Sequence, residues 1–383
     1  MQTQARQVGG FWLIAIFLVS FFCASSVVGL LLQQVGLADK DIVDAKYRQA
    51  IADPRVNLLF LGASLVDMGF DPVEFDAVMR KRGLCVSSYN LGIGGMTVPE
   101  ILPLLKRLQT SSNHVHYVFL APSFWSLEAG RFPNSIRSID HFDFSNALAF
   151  AGYVASFHRM PSSIEAKEYW NNIAIATFRH YTNIGLVRLL LTTAPNKYYY
   201  EYDFREAFLR QAHLKGQSRV ERFIQATKDI ETYQVALRQF IVERAKILES
   251  ESASAEQIGD DFPNELFDYF MQAVTIARTI TPNVVAVEPP TITYPAIDIS
   301  FVARLRSTPV QALPFLDFSD PGEYPELFEP ENRYDGSHLN SKGAVVWSRL
   351  LADRVAAMIE RGVLEAPSSG ACGAQDWKVP DIR

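Results

Sequence analysis

A serine near one end of the chain and an aspartate–histidine pair near the other have the residue types for nucleophilic attack on an ester. Ser64 stands in Gly62-Ala63-Ser64, directly after a short apolar run, and Asp335 and His338 stand three residues apart near the C-terminus. A serine hydroxyl becomes a nucleophile when a base takes its proton, and a carboxylate holds a histidine in the tautomer that can do so. The residue types therefore predict a triad of Ser64, His338 and Asp335.

Each half of this pattern also admits a structural interpretation. A serine after a strand can cap a helix, and an aspartate can cap a turn beside a surface histidine. His338 adjoins a carboxylate in a loop that leads into a predicted helix, and the chain order and positions at strand ends favour catalysis. Tyr334 and Arg333 adjoin the same motif and are candidates either to line a cleft or to pack in the core.

A glycine-rich turn could supply the hydrogen-bond donors of an acyl-transfer site. Ester attack places negative charge on the carbonyl oxygen, which preorganised N–H groups must bind. The candidate donors are the backbone N–H of Ser64 and that of Gly94 or Gly95, because glycine lets the main chain approach a substrate closely. A plain tight turn is the alternative. A dinucleotide-binding loop is disfavoured because Thr97 occupies the last glycine position of that fingerprint.

The segments around these residues alternate between strands and helices. Short apolar runs bounded by glycine or proline predict buried strands, and intervening stretches with helical spacing predict crossover helices. The predicted strands are residues 56–61, 87–91, 116–121, 283–287 and 310–318, and the predicted helices are 71–82, 98–108, 265–279 and 343–359. This pattern indicates an α/β fold, a three-layer α/β/α sandwich with a mainly parallel five-stranded sheet. Ligands bind outside the carboxyl ends of such strands, where the candidate residues fall.

Composition limits the classes of function. The 383 residues are 48% hydrophobic and 20% charged, as in a globular protein with a sizeable core. A net charge of −6 without a lysine or arginine cluster argues against nucleic-acid binding. No cluster of metal-ligand residue types is visible, and the predicted chemistry needs neither a metal nor an organic cofactor. Residues from about 130 to 259 interrupt the strand–helix rhythm and predict a helical insertion.

The N-terminal region predicts a transmembrane anchor. Residues 10–32 form an uncharged apolar run of 23 residues, which as a helix would cross a hydrocarbon core about 30 Å thick. A cleaved signal peptide is the alternative, because Ala24-Ser25-Ser26 offers small residues to a peptidase. The predicted organisation is a tail (1–9), the anchor (10–32), a stalk (33–54), the main domain (55–362) and a C-terminal tail (363–383). A Cys85–Cys372 disulfide is conceivable outside the cytoplasm.

Three short blocks resemble a known family. Gly62-Ala63-Ser64, residues 90–95 and residues 335–340 are similar to motifs of SGNH (GDSL-type) hydrolases, over roughly residues 55–125 and 280–360. The blocks more closely resemble those of the membrane-anchored bacterial branch that includes the D-alanyl-transfer protein of teichoic-acid modification and the alginate O-acetylation proteins. The resemblance implies a flavodoxin-like SGNH domain that transfers or removes O-acyl groups on envelope glycan through an acyl-serine. It also allows a membrane-bound O-acyltransferase as a partner.

Two departures from the family pattern bear on activity. Position 63 is Ala where many members have Asp, and Ala121-Pro122-Ser123 stands where the family has an asparagine that donates to the oxyanion. Ser123 is the candidate replacement donor, and a site built of backbone N–H groups alone is the other option. Because one lost donor costs about 100- to 1000-fold in turnover, a slow enzyme is one expected outcome.

Orientation and reaction type stay open on the residues alone. The flanking cations, Arg6 on one side and Lys40, Lys46 and Arg48 on the other, would place the main domain inside the cell. The resemblance places it outside the bacterial cytoplasmic membrane, on the periplasmic or extracytoplasmic side, and we adopt that expectation. A transferase acting on envelope glycan, a plain esterase or lipase, and a non-catalytic glycan- or partner-binding protein are the three hypotheses.

Overall fold

The chain divides into two compact units, each of which is described by itself. The computed structural model describes residues 12–13, 16–28, 31, 42–96, 98–110, 115–122, 143–156, 163–182, 215, 217, 227–253, 264–292, 296–309 and 312–367. The smaller unit comprises Met1–Ala45 and Gly130–Ala207, and the larger unit comprises Lys46–Ala129 and Phe208–Arg383. The predicted helical insertion is therefore shared between the two units.

The larger unit is built on a five-stranded parallel sheet. Its strands are β1 (Leu58–Gly62), β2 (Ser88–Gly92), β3 (Tyr117–Leu120), β4 (Val284–Glu288) and β5 (Phe315–Asp317). They are hydrogen-bonded in the order β2-β1-β3-β4-β5, and every pair is parallel. The predicted α/β class and five-stranded parallel sheet are confirmed. The last strand begins later than predicted, because Leu313 donates to the carbonyl of Pro309 in a turn at 3.0 Å. Pro314, which follows, has no N–H to donate to a neighbouring strand.

Helices pack on the sheet in a manner compatible with the predicted three-layer sandwich. The helices named in the described part of the chain are, in order, α1 (Ile42–Ala52), α2 (Ser64–Gly69), α3 (Pro72–Lys81), α4 (Val98–Gln109), α5 (Phe144–Ser156), α6 (Ser163–Thr182), α7 (Thr227–Ala253), α8 (Asn264–Ile280), α9 (Ala296–Ser307) and α10 (Ser341–Glu360), of which α5 and α6 belong to the smaller unit. Helix α10 packs against α2 and α3, whereas α8 packs against α4 and β4. Two 3₁₀ turns, Pro325–Phe328 and Pro330–Asn332, precede α10.

The closing helix α10 lies over the first strand. The ring centroid of Phe60 on β1 is 5.9 Å from that of Trp347 on α10, 5.1 Å from that of Phe70 and 5.8 Å from that of Phe119. Phe60, Phe70, Phe119 and Trp347 are all fully buried, and aromatic clusters of this kind contribute strongly to a core. This packing brings the segment before α10, which carries Asp335 and His338, towards the end of β1.

The predicted stalk is folded where it is described. Helix α1 (Ile42–Ala52) lies within the predicted stalk, residues 33–54. Lys46 and Gln49 are completely buried, and Tyr47 and Ala50 are nearly so. The reason is that the lysine has a buried carboxylate partner, so a charged residue in this stretch does not imply exposure.

The smaller unit contains helices α5 and α6, which pack against each other, and helical residues 12–13, 16–28 and 31. The rings of Phe21 and Phe178 are stacked with centroids 6.4 Å apart. In the described part of the chain, no helix is both long and apolar enough to cross a membrane. Residues 10, 11, 14, 15, 29, 30 and 32 of the predicted anchor lie outside the described residues, so the anchor stays a prediction.

Candidate active site

Ser64, His338 and Asp335 form a continuous hydrogen-bonded relay. The Nε2 atom of His338 is 2.8 Å from the Oγ atom of Ser64. Its Nδ1 atom is 3.0 Å from each carboxylate oxygen of Asp335. The serine hydroxyl can therefore pass its proton to the imidazole while the carboxylate holds the opposite ring nitrogen. The structure brings together the three residues that the sequence predicts as a triad.

The turn from β1 into α2 presents Ser64. Strand β1 ends at Gly62, and α2 begins at Ser64 with Ala63 as its N-cap. A Cβ atom at position 62 would lie 2.4 Å from Cγ2 of Val66 and 2.9 Å from Cβ of Ala121, so only glycine allows this close turn. The capping interpretation of Ser64 is wrong, because the cap position is Ala63 and the serine hydroxyl contacts the histidine ring.

Asp335 shapes the loop that carries His338. Its Oδ1 atom accepts hydrogen bonds from the backbone N–H groups of Ser337 and His338, both at 2.7 Å. Burial raises the pKa of the Asp335 carboxyl, but the His338 ring and these two N–H groups outweigh it and bring the pKa below its usual value. The aspartate is therefore both the turn-forming residue of the structural interpretation and the orienting carboxylate of the catalytic one.

Arg333 holds this loop in place through hydrogen bonds to backbone carbonyl oxygens. It is completely buried, and its guanidinium donates to the carbonyl oxygens of Pro290 at 3.1 Å and Gly336 at 2.6 Å, with a longer bond to that of Asp335. The bond to Pro290 connects the loop of Asp335 and His338 to the segment that follows β4. Of the two interpretations open for Arg333, the structure supports packing within the protein, because fork-shaped donors suit several carbonyls at once.

Helix α10 starts directly after the loop and fixes its other end. The side chain of Asn340 accepts hydrogen bonds from the N–H groups of Lys342 and Gly343, both at 3.0 Å, which is an N-cap. Its own amide donates to the carbonyl of Glu331 at 2.8 Å. Position 343 must be glycine, because a Cβ there would lie 2.1 Å from the carbonyl oxygen of Asn332. The histidine is thus held between a buried arginine and a capped helix.

Gly94 and Gly95 lie in the turn that follows β2, at the carboxyl end of the sheet, where Ser64 follows β1. Gly62 and Gly92 are paired at the ends of β1 and β2, and the N–H of Ile93 donates to the carbonyl of Gly62 at 2.9 Å. Gly95 has a φ of 67°, a left-handed conformation that favours glycine. Both glycines therefore follow the carboxyl end of β2, as Ser64 follows that of β1.

Asn90 hydrogen-bonds both to the end of β2 and to α2, the helix that begins at Ser64. Its amide donates to the carbonyls of Val66 and Phe70, both at 2.8 Å, while its Oδ1 accepts from the N–H of Gly92 at 2.8 Å. The sequence shows Asn90 only as part of a family block, and its spacing gives no sign of these partners. Ser123, the candidate replacement donor, lies outside the described residues.

The arrangement has the parts that acyl transfer needs: a nucleophile, a base, an orienting carboxylate and a nearby glycine turn. Within the described ranges, no group of three or more His, Cys, Asp or Glu residues could hold a metal ion. In comparisons with known proteins, the chain matches no protein-family model, no curated protein and no solved structure.

Proposed function

We propose that the protein is a membrane-anchored, extracytoplasmic serine acyl-ester enzyme of the SGNH type. In this proposal it transfers or removes O-acyl groups on cell-envelope glycan. The observation that carries the proposal is the relay from Ser64 through His338 to Asp335 at the carboxyl end of β1. A non-catalytic protein of the same fold would have no need for the 2.8 Å contact between residues so far apart in the chain.

The mechanism follows from the geometry. His338 Nε2 takes the proton of Ser64 as the serine Oγ bonds to the ester carbonyl carbon. The carbonyl π electrons move to the oxygen, and the N–H groups of Ser64 and of Gly94 or Gly95 bind the resulting oxyanion. As the tetrahedral intermediate collapses, the bond to the leaving alcohol breaks, and the alkoxide receives the proton from His338. The product is an acyl-Ser64 ester.

The second half-reaction decides between transfer and hydrolysis. A glycan hydroxyl or a water molecule loses its proton to His338 and attacks the acyl-Ser64 carbonyl. Collapse of this second intermediate returns the proton to the oxygen of Ser64 and releases the acylated acceptor or the free acid. The acceptor that reaches the site therefore determines the product.

Two features support the extracytoplasmic location. Cys85 is disulfide-bonded, whereas Cys23 is free, and structural disulfides persist mainly in oxidising compartments. The apolar run of residues 10–32 has the length and composition of an anchor. Together they favour a main domain outside the cytoplasm, where envelope glycans would be its acceptors.

The test is covalent labelling of the full chain in detergent micelles with a fluorophosphonate, followed by intact-mass analysis. We expect one adduct, which is lost in Ser64→Ala and retained in Ser307→Ala, a control at an exposed serine near the end of α9. No adduct on folded wild-type protein, or an adduct that persists in Ser64→Ala, would contradict the proposal. Partition of a p-nitrophenyl acetate acyl group between water and an added oligosaccharide then separates hydrolase from transferase.

A further inference from the structure

A buried lysine contacts both the helix that begins at Ser64 and the end of the strand that leads to Gly94 and Gly95. Lys46 on α1 is completely buried. Its Nζ atom is 2.6 Å from Oδ1 of Asp67, on the nucleophile helix α2, and 2.6 Å from the carbonyl oxygen of Gly92, at the end of β2. Burial lowers the pKa of Lys46, and the Asp67 carboxylate offsets part of that effect.

The peptide group between Gly92 and Ile93 is held on both sides. Its carbonyl accepts from Lys46, and its N–H donates to the carbonyl of Gly62 at 2.9 Å. Gly62 lies two residues before Ser64, and Gly94 lies two residues after Gly92. The same peptide group therefore links the turn that presents the nucleophile to the turn that presents the oxyanion donors.

We propose that Lys46 is a positioning residue for acyl transfer, which holds the turn of Gly94 and Gly95 at a fixed distance from Ser64. This inference rests on the proposed function and adds a residue that the triad and the glycine turn do not include. One ammonium group bonds α2 and the end of β2 at the same time. Its removal takes away one of the bonds between the two turns and leaves those of Ile93 and Asn90 to hold them. A misplacement of about 1 Å in such a site can cost about 100-fold in rate.

The stability of the fold does not by itself explain why a lysine is buried at position 46. The desolvation of a buried ion pair often cancels its attraction, and apolar residues of the same shape can replace such a pair without loss of stability. Met and Leu have nearly the shapes of Lys and Asp. The variant Lys46→Met with Asp67→Leu therefore removes the bond to Gly92 without leaving a buried charge.

A second buried pair provides a matched control. The ammonium of Lys215 contacts the carboxylate of Asp76, and both side chains are nearly inaccessible to solvent. The Asp76 carboxylate accepts from the N–H of Ser88, at the start of β2 and thus at the opposite end of the strand from Gly92. Lys215→Met removes a lysine from the same kind of pair without touching the glycine turn.

The experiment measures p-nitrophenyl acetate kinetics, thermal unfolding and amide hydrogen exchange on the full chain in detergent micelles. For the double variant at positions 46 and 67 we expect a modest fall in the unfolding temperature, because the buried carbonyl of Gly92 loses its Lys46 donor. We expect kcat to be lower by about 10- to 100-fold and KM to stay within about twofold. Exchange should increase in peptides covering residues 90–96. Lys215→Met should unfold at a lower temperature and keep the wild-type kcat.

Several outcomes would overturn the role of Lys46. They are a double variant with wild-type kcat, unchanged exchange over residues 90–96, or an equal loss of kcat in Lys215→Met. If the double variant does not fold, Lys46→Arg, which keeps a charged donor, should turn over at least tenfold faster than Lys46→Met, and equal rates would refute the role. Wild-type protein that fails to react with fluorophosphonate contradicts the proposed function itself, whereas equal labelling of wild type and double variant contradicts only this inference.

Discussion

Replacement of Asp335 by asparagine tests the relay without dismantling the loop. The Oδ1 atom of Asp335 accepts from the N–H groups of Ser337 and His338, both at 2.7 Å. An asparagine oxygen can keep these two bonds, so its Nδ2 must take the place of Oδ2, 3.0 Å from Nδ1 of His338. An N–H donor at that place opposes a proton on Nδ1, although the retained oxygen also lies 3.0 Å from Nδ1 and can accept from it. We therefore expect a shift towards the form of the ring with its proton on Nε2, in which that nitrogen can no longer accept the proton of Ser64.

The expected loss of turnover in Asp335→Asn is large. Loss of the correct histidine tautomer in a serine triad reduces kcat by about 10⁴-fold, which at about 1.36 kcal/mol per tenfold is about 5 kcal/mol of transition-state stabilisation. The Asp335 side chain is 45% exposed, so water can compensate in part. We therefore expect a loss of about 10³- to 10⁴-fold in kcat, with KM nearly unchanged.

The assay is p-nitrophenyl acetate turnover by the full chain, with Asp353→Asn as the matched control. Asp353 is a similarly exposed aspartate on α10 that pairs with Arg82, so its loss changes the charge equally but leaves the relay intact. A kcat for Asp335→Asn above about one tenth of the wild-type value, with the fold preserved, would refute the tautomer argument. A matching loss in Asp353→Asn would show that the effect is one of charge alone.

The same variant has an expected signature in stability against pH. The pKa of Asp335 is lower in the folded protein than its ordinary value, so its ionised form stabilises the fold above the unfolded pKa of about 3.9. This contribution is lost as the pH falls through the folded pKa. The difference in urea midpoint between wild type and Asp335→Asn should therefore shrink below about pH 4. A difference that grows in acid would contradict this sign.

Two further substitutions test how the site is held. Gly92→Ala would place a Cβ 2.3 Å from the backbone nitrogen of Asp67, so we expect a loss of about 1–3 kcal/mol in the free energy of unfolding. Gly322→Ala is the control, because the nearest atom to its added Cβ is a carboxylate oxygen at 3.2 Å. It should change the free energy of unfolding by less than about 0.5 kcal/mol. Arg333→Met would remove the guanidinium donor from the carbonyl of Pro290, whereas that of Gly336 keeps its bond from the N–H of Ile292. We expect a loss of about 1–3 kcal/mol together with reduced kcat. Arg349→Met, at an exposed ion pair, should cost less than about 1 kcal/mol. Urea unfolding checks all four variants, and equal effects within either pair would contradict the structural reasoning.

The sheet could be predicted because its strands carry their own signals. Leu58–Gly62 is a short apolar run that ends in glycine, and both faces of a central parallel strand are buried, so no polar residue interrupts the run. The last strand was predicted from Val310 to Phe318 but spans Phe315–Asp317. There the apolar pattern extends across Pro314, whose carbonyl accepts from the N–H of Ala286 on β4 at 2.9 Å. Pro314 has no N–H to extend the pairing to earlier residues.

The triad could be predicted in part because two of its members are neighbours in the chain. Asp335 and His338 lie in one turn, so their contact is a local property of the loop. The contact with Ser64 depends on α10 lying over β1, which a sequence indicates only through strand order and the carboxyl-end rule. The interpretations of Asp335 as a turn former and as an orienting carboxylate were alternatives in the sequence, yet one carboxylate fulfils both.

The bonds by which Asn90, Arg333 and Lys46 hold the site could not be predicted, because of the kind of acceptor that they use. Asn90, Arg333 and Lys46 each donate to backbone carbonyl oxygens. A carbonyl is present at every position whatever the side chain, so no pairing of residue types in the sequence identifies such a partner. By the same reasoning, these bonds do not depend on which side chain stands at the accepting position. Substitution of the three donors should therefore disturb the site far more than substitution at an acceptor such as Val66, provided that the acceptor's own packing is preserved.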